Sequence, residues 1–217
     1  MYSTTEENYL KCILALSVSD KPVSTNAIAE RMENSAASVT DMVKKLAAKD
    51  LVEHIPYKGI TLLKEGRDEA LFLLRKHRLW ECFLYNQLGF SWDELHEIAE
   101  QLEHIESVKL INRLDEFLGF PKFDPHGDPI PDQDGRTAEE DTIQLMQAPI
   151  GKKLIVKSVV DNRRLLKYLS DIQIGIGTVI QIDKKIEFDE SIIVLMPDLS
   201  TLHLSPSASS QIFVKLK

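Results

Sequence analysis

Apolar residues recur at helical spacing through the first 120 positions. Beyond residue 144 they alternate and become rich in Ile and Val, so the period itself divides the chain. Tyr9, Leu10, Ile13, Leu14 and Leu16 predict a first helix, opened by Ser3 or Thr5 and ended by Pro22. Ser24 offers a cap to STNAIAERM, and Ser35 opens SAASVTDMVKKLAAKD with Val39, Met42, Val43 and Leu46 on one face. Only ENS separates these two runs, which is room for a tight helix–turn–helix and nothing more. The segment LVEHIPYKGITLLK then predicts two short strands joined around Tyr57, Lys58 and Gly59, the layout of a winged helix.

A long helix follows over about Lys64 to Leu88, with Ala70, Leu71, Leu74, Leu79, Phe83 and Leu84 as its apolar positions and Gly89 as its stop. Ser91 is expected to cap SWDELHEIAEQLEH, and Ser107 to cap SVKLINRLDEFLG. Pro121, Pro125, Pro129 and Pro131 between Gly119 and Gly135 impose an irregular linker, since each proline removes a backbone donor and disfavours helix before it. Downstream, KLIVKSVVD, GTVIQIDKKIEFDESIIVLM and the end of LHLSPSASSQIFVKL read as strands, with NRRLLKYLSD as a short helix. The expected fold is mainly α with a small C-terminal β-barrel. Its parts are a winged helix–turn–helix at 1–63, a helical domain at 64–120, a linker at 121–143 and the barrel at 144–217.

The chain has 217 residues, 43% of them hydrophobic, enough for a core in each part. Lys and Arg number 26 against 34 Asp and Glu, a net charge of −8. That balance argues against nucleic-acid or membrane binding driven by bulk charge, while leaving room for a local DNA-reading face. Cys12 and Cys82 stand far apart without a CxxC, which suits a reducing compartment, and both fall on apolar faces as core residues. The opening MYSTTEENYL lacks the features of a signal peptide, and no stretch approaches the ~18 uncharged apolar residues of a membrane span. A cytoplasmic protein without a membrane partner is expected.

In a winged helix the second helix enters the major groove by its N-terminal end, which here offers Ser35, Ala36, Ala37, Ser38 and Thr40 to base edges. Lys44, Lys45 and Lys49 further along, Lys58 on the wing and Lys64 after it suit phosphate contacts. A protein-interaction module with a solvated lysine face is the alternative. A second constellation lies in the helical domain. His77 and Glu81 stand at i, i+4, as do His96 and Glu100, and Glu103 and His104 follow Glu100 at i+3 and i+4. Imidazoles with carboxylates and little sulfur suit manganese or ferrous iron. The alternatives are ordinary helix-surface pairs, or a hydrolytic or di-iron centre, although no HExxH is present.

With TEENYLKCI, IAERMENSAASVTDMVKKLAAKDLV, KHRLWECFL, HEIAEQLEHIES and DPHGDPIP in this order, the chain resembles the DtxR/MntR family of metal-dependent transcriptional repressors nearly end to end. The resemblance implies a homodimer that binds double-stranded operator DNA when loaded with a divalent metal, has no small-molecule substrate, and is not an enzyme. It implies that the second domain holds metal sites and dimer interface, and that the C-terminal domain is SH3-like (FeoA-like). Carried over, the main site comprises His77, Glu100, Glu103, His104 and Asn8. Glu100 stands where the iron branch has cysteine, which favours Mn2+, with Fe2+ as the alternative and Zn2+ able to bind in vitro. Lys11 replaces a carboxylate of the manganese branch, so a second ion held as in that branch is not expected. An ancillary site would take Glu81, His96, Asp124, His126 and Asp161. For Asp124 and Asp161 turn chemistry is the competing explanation. A metal-independent winged-helix regulator and a His/carboxylate metalloenzyme remain the rival functions.

Overall fold

The computed structural model describes residues 2–17, 21–55 and 58–217. Two compact units emerge, one built from residues 1–77, 102–107 and 131–136, the other from 78–101, 108–130 and 137–217. In the first, α1 (Thr4–Leu16) opens on a full capping box: Ser3 accepts from the Glu6 amide while the Glu6 carboxylate accepts from the Ser3 amide. Helices α2 (Thr25–Arg31) and α3 (Ala36–Ala47) are capped by Ser24 and Ser35. Strands β1 (Val52–Ile55) and β2 (Gly59–Leu62) pair antiparallel, and Val23 bridges to Ile60 as a third short piece. Gly59 sits at φ +125°, and a Cβ there would lie 2.6 Å from the Val23 carbonyl oxygen. Leu10, Ile13, Ile28, Val39, Leu46, Leu51 and Ile60 are buried together as the core of this winged helix. Of the expected wing residues, Tyr57 lies outside the described residues.

Helix α4 covers Lys64–Leu88, α5 Leu95–Leu102 and α6 Val108–Phe117. Helix α5 is shorter than its apolar pattern predicts. The Ser91 amide and hydroxyl both donate to the Glu94 carboxylate, at 3.1 and 2.6 Å, which closes a turn ahead of the helix instead of its first turn. At the other end the helix stops at Leu102, leaving Glu103 and His104 in the following turn.

Strands β3 (Ile143–Gln144), β4 (Lys153–Val159), β5 (Val179–Lys185), β6 (Ile192–Leu195), β7 (Thr201–Leu204) and β8 (Ile212–Leu216) form one antiparallel sheet in the order β3-β8-β4-β5-β6-β7. Helix α7 (Arg163–Asp171) follows β4, and the single turn α8 (Pro206–Ser209) precedes β8. The expected barrel is therefore an SH3-like sheet that does not close. Register shifts at Val156/Ser158 and Ile182/Lys184 curve it, but its edge strands offer only two and four residues for pairing.

Candidate metal centre and DNA-reading face

Among the expected DNA-contacting residues, Ser35, Ala36, Ala37 and Ser38 are exposed at the start of α3, and Thr40 is half-buried with its hydroxyl on the Ala36 carbonyl. Lys44, Lys45 and Lys58 are exposed, with Lys44 3.2 Å from Asp41. Lys49 differs: its ammonium donates to Glu6 Oε1 at 2.6 Å and lies 5.6 Å from the Tyr2 ring centre. Lys64 pairs with Asp68 one turn on.

The turn after α5 brings two metal-ligating candidates against α1. Glu103 is fully buried; one oxygen accepts from Lys11 Nζ at 2.6 Å and the other from His77 Nδ1 at 2.5 Å. Burial opposes the charge on Glu103, yet His77 and Lys11 outweigh it and hold its carboxyl below the usual carboxylate range. His104 places Nδ1 2.5 Å from Glu7 Oε2, with Nε2 3.7 Å from Glu103. Glu7 was absent from the sequence-derived set. Its only signal is that it shares a helical face with Lys11 at i, i+4 and adjoins Asn8. The Asn8 amide oxygen is buried and accepts no hydrogen bond from any described residue. An orphaned buried acceptor costs free energy, on the order of 1–3 kcal/mol, unless something donates to it or coordinates it. Donors of this kind, N and O without sulfur, fit a hard divalent ion. Glu100, the remaining expected member, is seen 3.5 Å from His96, one turn earlier on α5, with almost half of its side chain exposed.

A second group assembles inside the other unit from four segments remote in sequence. Ligand atoms of Glu81, Asp124 and His126 lie within 4.8 Å of one another, as do those of Glu81, His96 and Asp161. His96 Nδ1 is 2.9 Å from Asp161. In the neutral ring, His126 donates from Nε2 to the Trp92 carbonyl at 2.9 Å, which leaves the Nδ1 lone pair on the Glu81 side, 3.8 Å away. Burial pushes the Asp124 carboxyl up to about 7, with Glu81 and Asp128 adding to the rise against Arg78 and His126. Burial works against charge on His126, but Glu81, Asp124 and Asp161 raise its pKa. Crowded, dehydrated carboxylates with an oriented imidazole suit a cation.

Turn chemistry is also present at Asp124, whose Oδ1 accepts from the amides of His126 and Asp128. Arg78, which sequence reasoning missed, clamps this loop: it approaches Asp124 Oδ2 at 3.4 Å and Asp128 at 3.2 Å, and donates to the Pro129 carbonyl. Cys82 is buried with its thiol pKa pushed up by burial and by Asp124, Glu81 and Asp115, and Cys12 is likewise raised by burial, so both are inert core thiols.

Residues 1–60 match the domain described as "Iron dependent repressor, N-terminal DNA binding domain", 63–132 the "Iron dependent repressor, metal binding and dimerisation domain", and 143–216 the "FeoA domain". The iron-dependent repressor IdeR of Mycobacterium leprae is 31% identical over 174 residues, covering 77% of this chain and 74% of that protein. The diphtheria toxin repressor of Corynebacterium glutamicum is 30% identical over 189 residues, covering 82% of this chain and 83% of its own. Among solved structures, a manganese-dependent transcriptional repressor in complex with manganese is 37% identical with TM-score 0.89, covering 98% of this chain and all of that one. The manganese regulator SloR is 38% identical with TM-score 0.78, covering 98% of each chain. No helix among the described residues is long and apolar enough to cross a membrane. A DNA-reading winged helix, a helical domain with clustered His and carboxylates, and these relatives across its length lead to one assignment: the chain belongs to the DtxR/MntR family of metal-dependent transcriptional repressors, DNA-binding regulators rather than enzymes, in the form with a C-terminal FeoA domain.

Proposed function

We propose that this repressor responds to Mn2+, with Fe2+ as the second choice, binds a two-fold operator as a homodimer in the cytoplasm, and controls genes for uptake of the same metal. The observation that carries the metal reading is the buried, unbonded Asn8 oxygen, one residue along α1 from the carboxylate that engages His104. A divalent ion supplies the positive charge and coordination positions that these donors lack. Asn8, His77, Glu100, Glu103 and His104 form the main site, and Glu7 joins them on the strength of its contact. Glu81, His96, Asp124, His126 and Asp161 form the ancillary one. Hard oxygen and imidazole donors favour Mn2+, and Zn2+ competes in vitro because affinity rises along the first row. By holding α1 against Glu103 and His104, Asn8 and Glu7 restrict the winged helix to one orientation. Two such heads then match two half-sites about one DNA turn apart.

The test is fluorescence anisotropy of a labelled palindromic duplex, selected on the Mn2+-loaded protein, with chelator, Mn2+, Fe2+ or Zn2+ at fixed salt. Binding that appears with Mn2+ and is weaker with Fe2+ supports the reading; equal binding in chelator and in every metal refutes it.

Lys11 supplies a quantitative check. Its ammonium already neutralises Glu103, so an incoming cation must share or displace it. Lys11→Met is expected to tighten Mn2+ binding on the order of tenfold, because unit charges near 4 Å apart interact by several kcal/mol even when partly screened. Isothermal titration calorimetry measures this, and unchanged affinity would place Lys11 outside the electrostatics of the site.

Dimerisation has its own surface. Phe117 and Phe120 are 64% and 57% exposed, with Leu88 and Val108 similarly bare, and in this reading a second copy covers them. Phe117→Asp is expected to convert the dimer to monomer on size-exclusion chromatography with light scattering, and to abolish operator binding while leaving the fold intact.

A further inference from the structure

Helix α1 has two differently engaged faces. Glu7 and Lys11 meet His104 and Glu103. Glu6 and Tyr9, at i, i+3 and on the far side of the helix from Lys11, meet the reader. Glu6 is tied through both oxygens, Oε2 to the Ser3 amide of the capping box and Oε1 to Lys49 Nζ at 2.6 Å. Lys49 lies just beyond the C-terminal end of the recognition helix α3. The Tyr9 ring is buried, and its hydroxyl accepts from the Asn34 side chain at 3.4 Å, in the turn that leads into α3. Both ends of the recognition helix are thus attached to the helix whose other face meets the candidate metal site.

We propose that Glu6 and Tyr9 are positioning residues that transmit the capture of α1 at the metal site to the two ends of α3, with Lys49 serving as the strut to Glu6 and not as a phosphate contact. The proposal rests on the metal-dependent repressor reading. It assigns to Lys49 a role opposite to that suggested by its place among the DNA-side lysines. A strut acts on the energy gained on metal binding and leaves the number of phosphate contacts alone. A phosphate contact acts equally with and without metal, and its loss shallows the salt dependence by roughly 0.9 in log–log slope.

The experiment uses full-length wild type, Glu6→Gln, Lys49→Met, the double variant and Tyr9→Phe. Glutamine still closes the capping box, so Glu6→Gln removes the charge while sparing the helix start. Anisotropy with the selected duplex is read in chelator and in saturating Mn2+ across a salt series, and Mn2+ binding without DNA is read by calorimetry. Each charge variant is expected to keep its DNA-free Mn2+ affinity within about twofold, while the Mn2+-induced gain in duplex affinity falls about tenfold, within the usual range of coupling between sites. The double variant should be no worse than either single one, as for two residues acting through one contact. The salt slope should not change, and Tyr9→Phe should show a smaller loss of the same kind. An undiminished gain in Glu6→Gln and Lys49→Met overturns the proposal, as does weakening by Lys49→Met alone with a shallower slope. A wild type that binds equally in chelator and Mn2+ overturns the repressor reading as well, because there is then no gain to transmit.

Discussion

Glu103→Ala is expected to abolish the metal-induced gain in operator affinity. Glu103 holds two elements in register at once: Lys11 of α1 through one oxygen and His77 of α4 through the other, at zero exposure. Its removal takes away a carboxylate bonded to both α1 and α4, so α1 is left with the Glu7–His104 contact alone of its two ties to this turn. Coupling between a metal site and a DNA site is typically five- to 150-fold, and the whole of it should vanish. Breaking a buried ion pair also leaves its partners uncompensated and costs about 3 kcal/mol of stability. Glu103→Gln separates the two effects. The amide keeps the volume and one accepting oxygen, so the variant should melt close to wild type yet respond to Mn2+ little better than the alanine variant. Anisotropy in chelator and in Mn2+, with a thermal melt of each variant, checks both statements. A Glu103→Gln protein with a full Mn2+ response would remove Glu103 from the site.

Gly127→Ala is expected to dismantle the ancillary cluster. Gly127 sits at φ +86°, and a Cβ there would lie 1.9 Å from the Lys157 carbonyl oxygen and 2.7 Å from Ser158 Cα. These are backbone atoms of β4, which cannot turn aside as a side chain would. The adjacent His126 carbonyl accepts from the Val159 amide, so the loop and the strand must part together. Strain at such a φ costs about 1–3 kcal/mol and the overlap adds to it. The loop should lift, taking Asp124 and His126 away from Glu81. Metal counting by equilibrium dialysis should find one ion fewer per chain at saturation, with urea denaturation showing the lost stability. Equal metal content in Gly127→Ala and wild type would show that the cluster Glu81, Asp124 and His126 holds no ion.

Much of this protein is readable residue by residue, because the signals are local. Ser3, Ser24 and Ser35 cap helices through amides three residues away, and the apolar spacing of α1, α3 and α4 follows from 3.6 residues per turn. The shift to alternation after the linker marks the strands for the same reason. The boundaries of α5 were not readable. Its apolar pattern continues through Glu103 and His104, but the Ser91–Glu94 turn and the stop at Leu102 set where the helix lies. That stop matters for the site, since Glu103 and His104 lie in the turn that follows it and meet Lys11 and Glu7 of α1.

The sequence by itself determined the elements, the family and nearly every residue type of the two clusters. The tertiary structure alone decided who meets whom. Glu7 and His104 are 97 positions apart, Glu6 and Lys49 are 43 apart, and Arg78 reaches Asp128 across 50. No periodicity encodes such pairs, because they depend on how buried faces pack and on which charges that packing strips of water. The same holds for the open edge of the sheet: alternation specifies a strand, but closure depends on strand number, tilt and stagger, and here β3 and β7 end the sheet without pairing to each other.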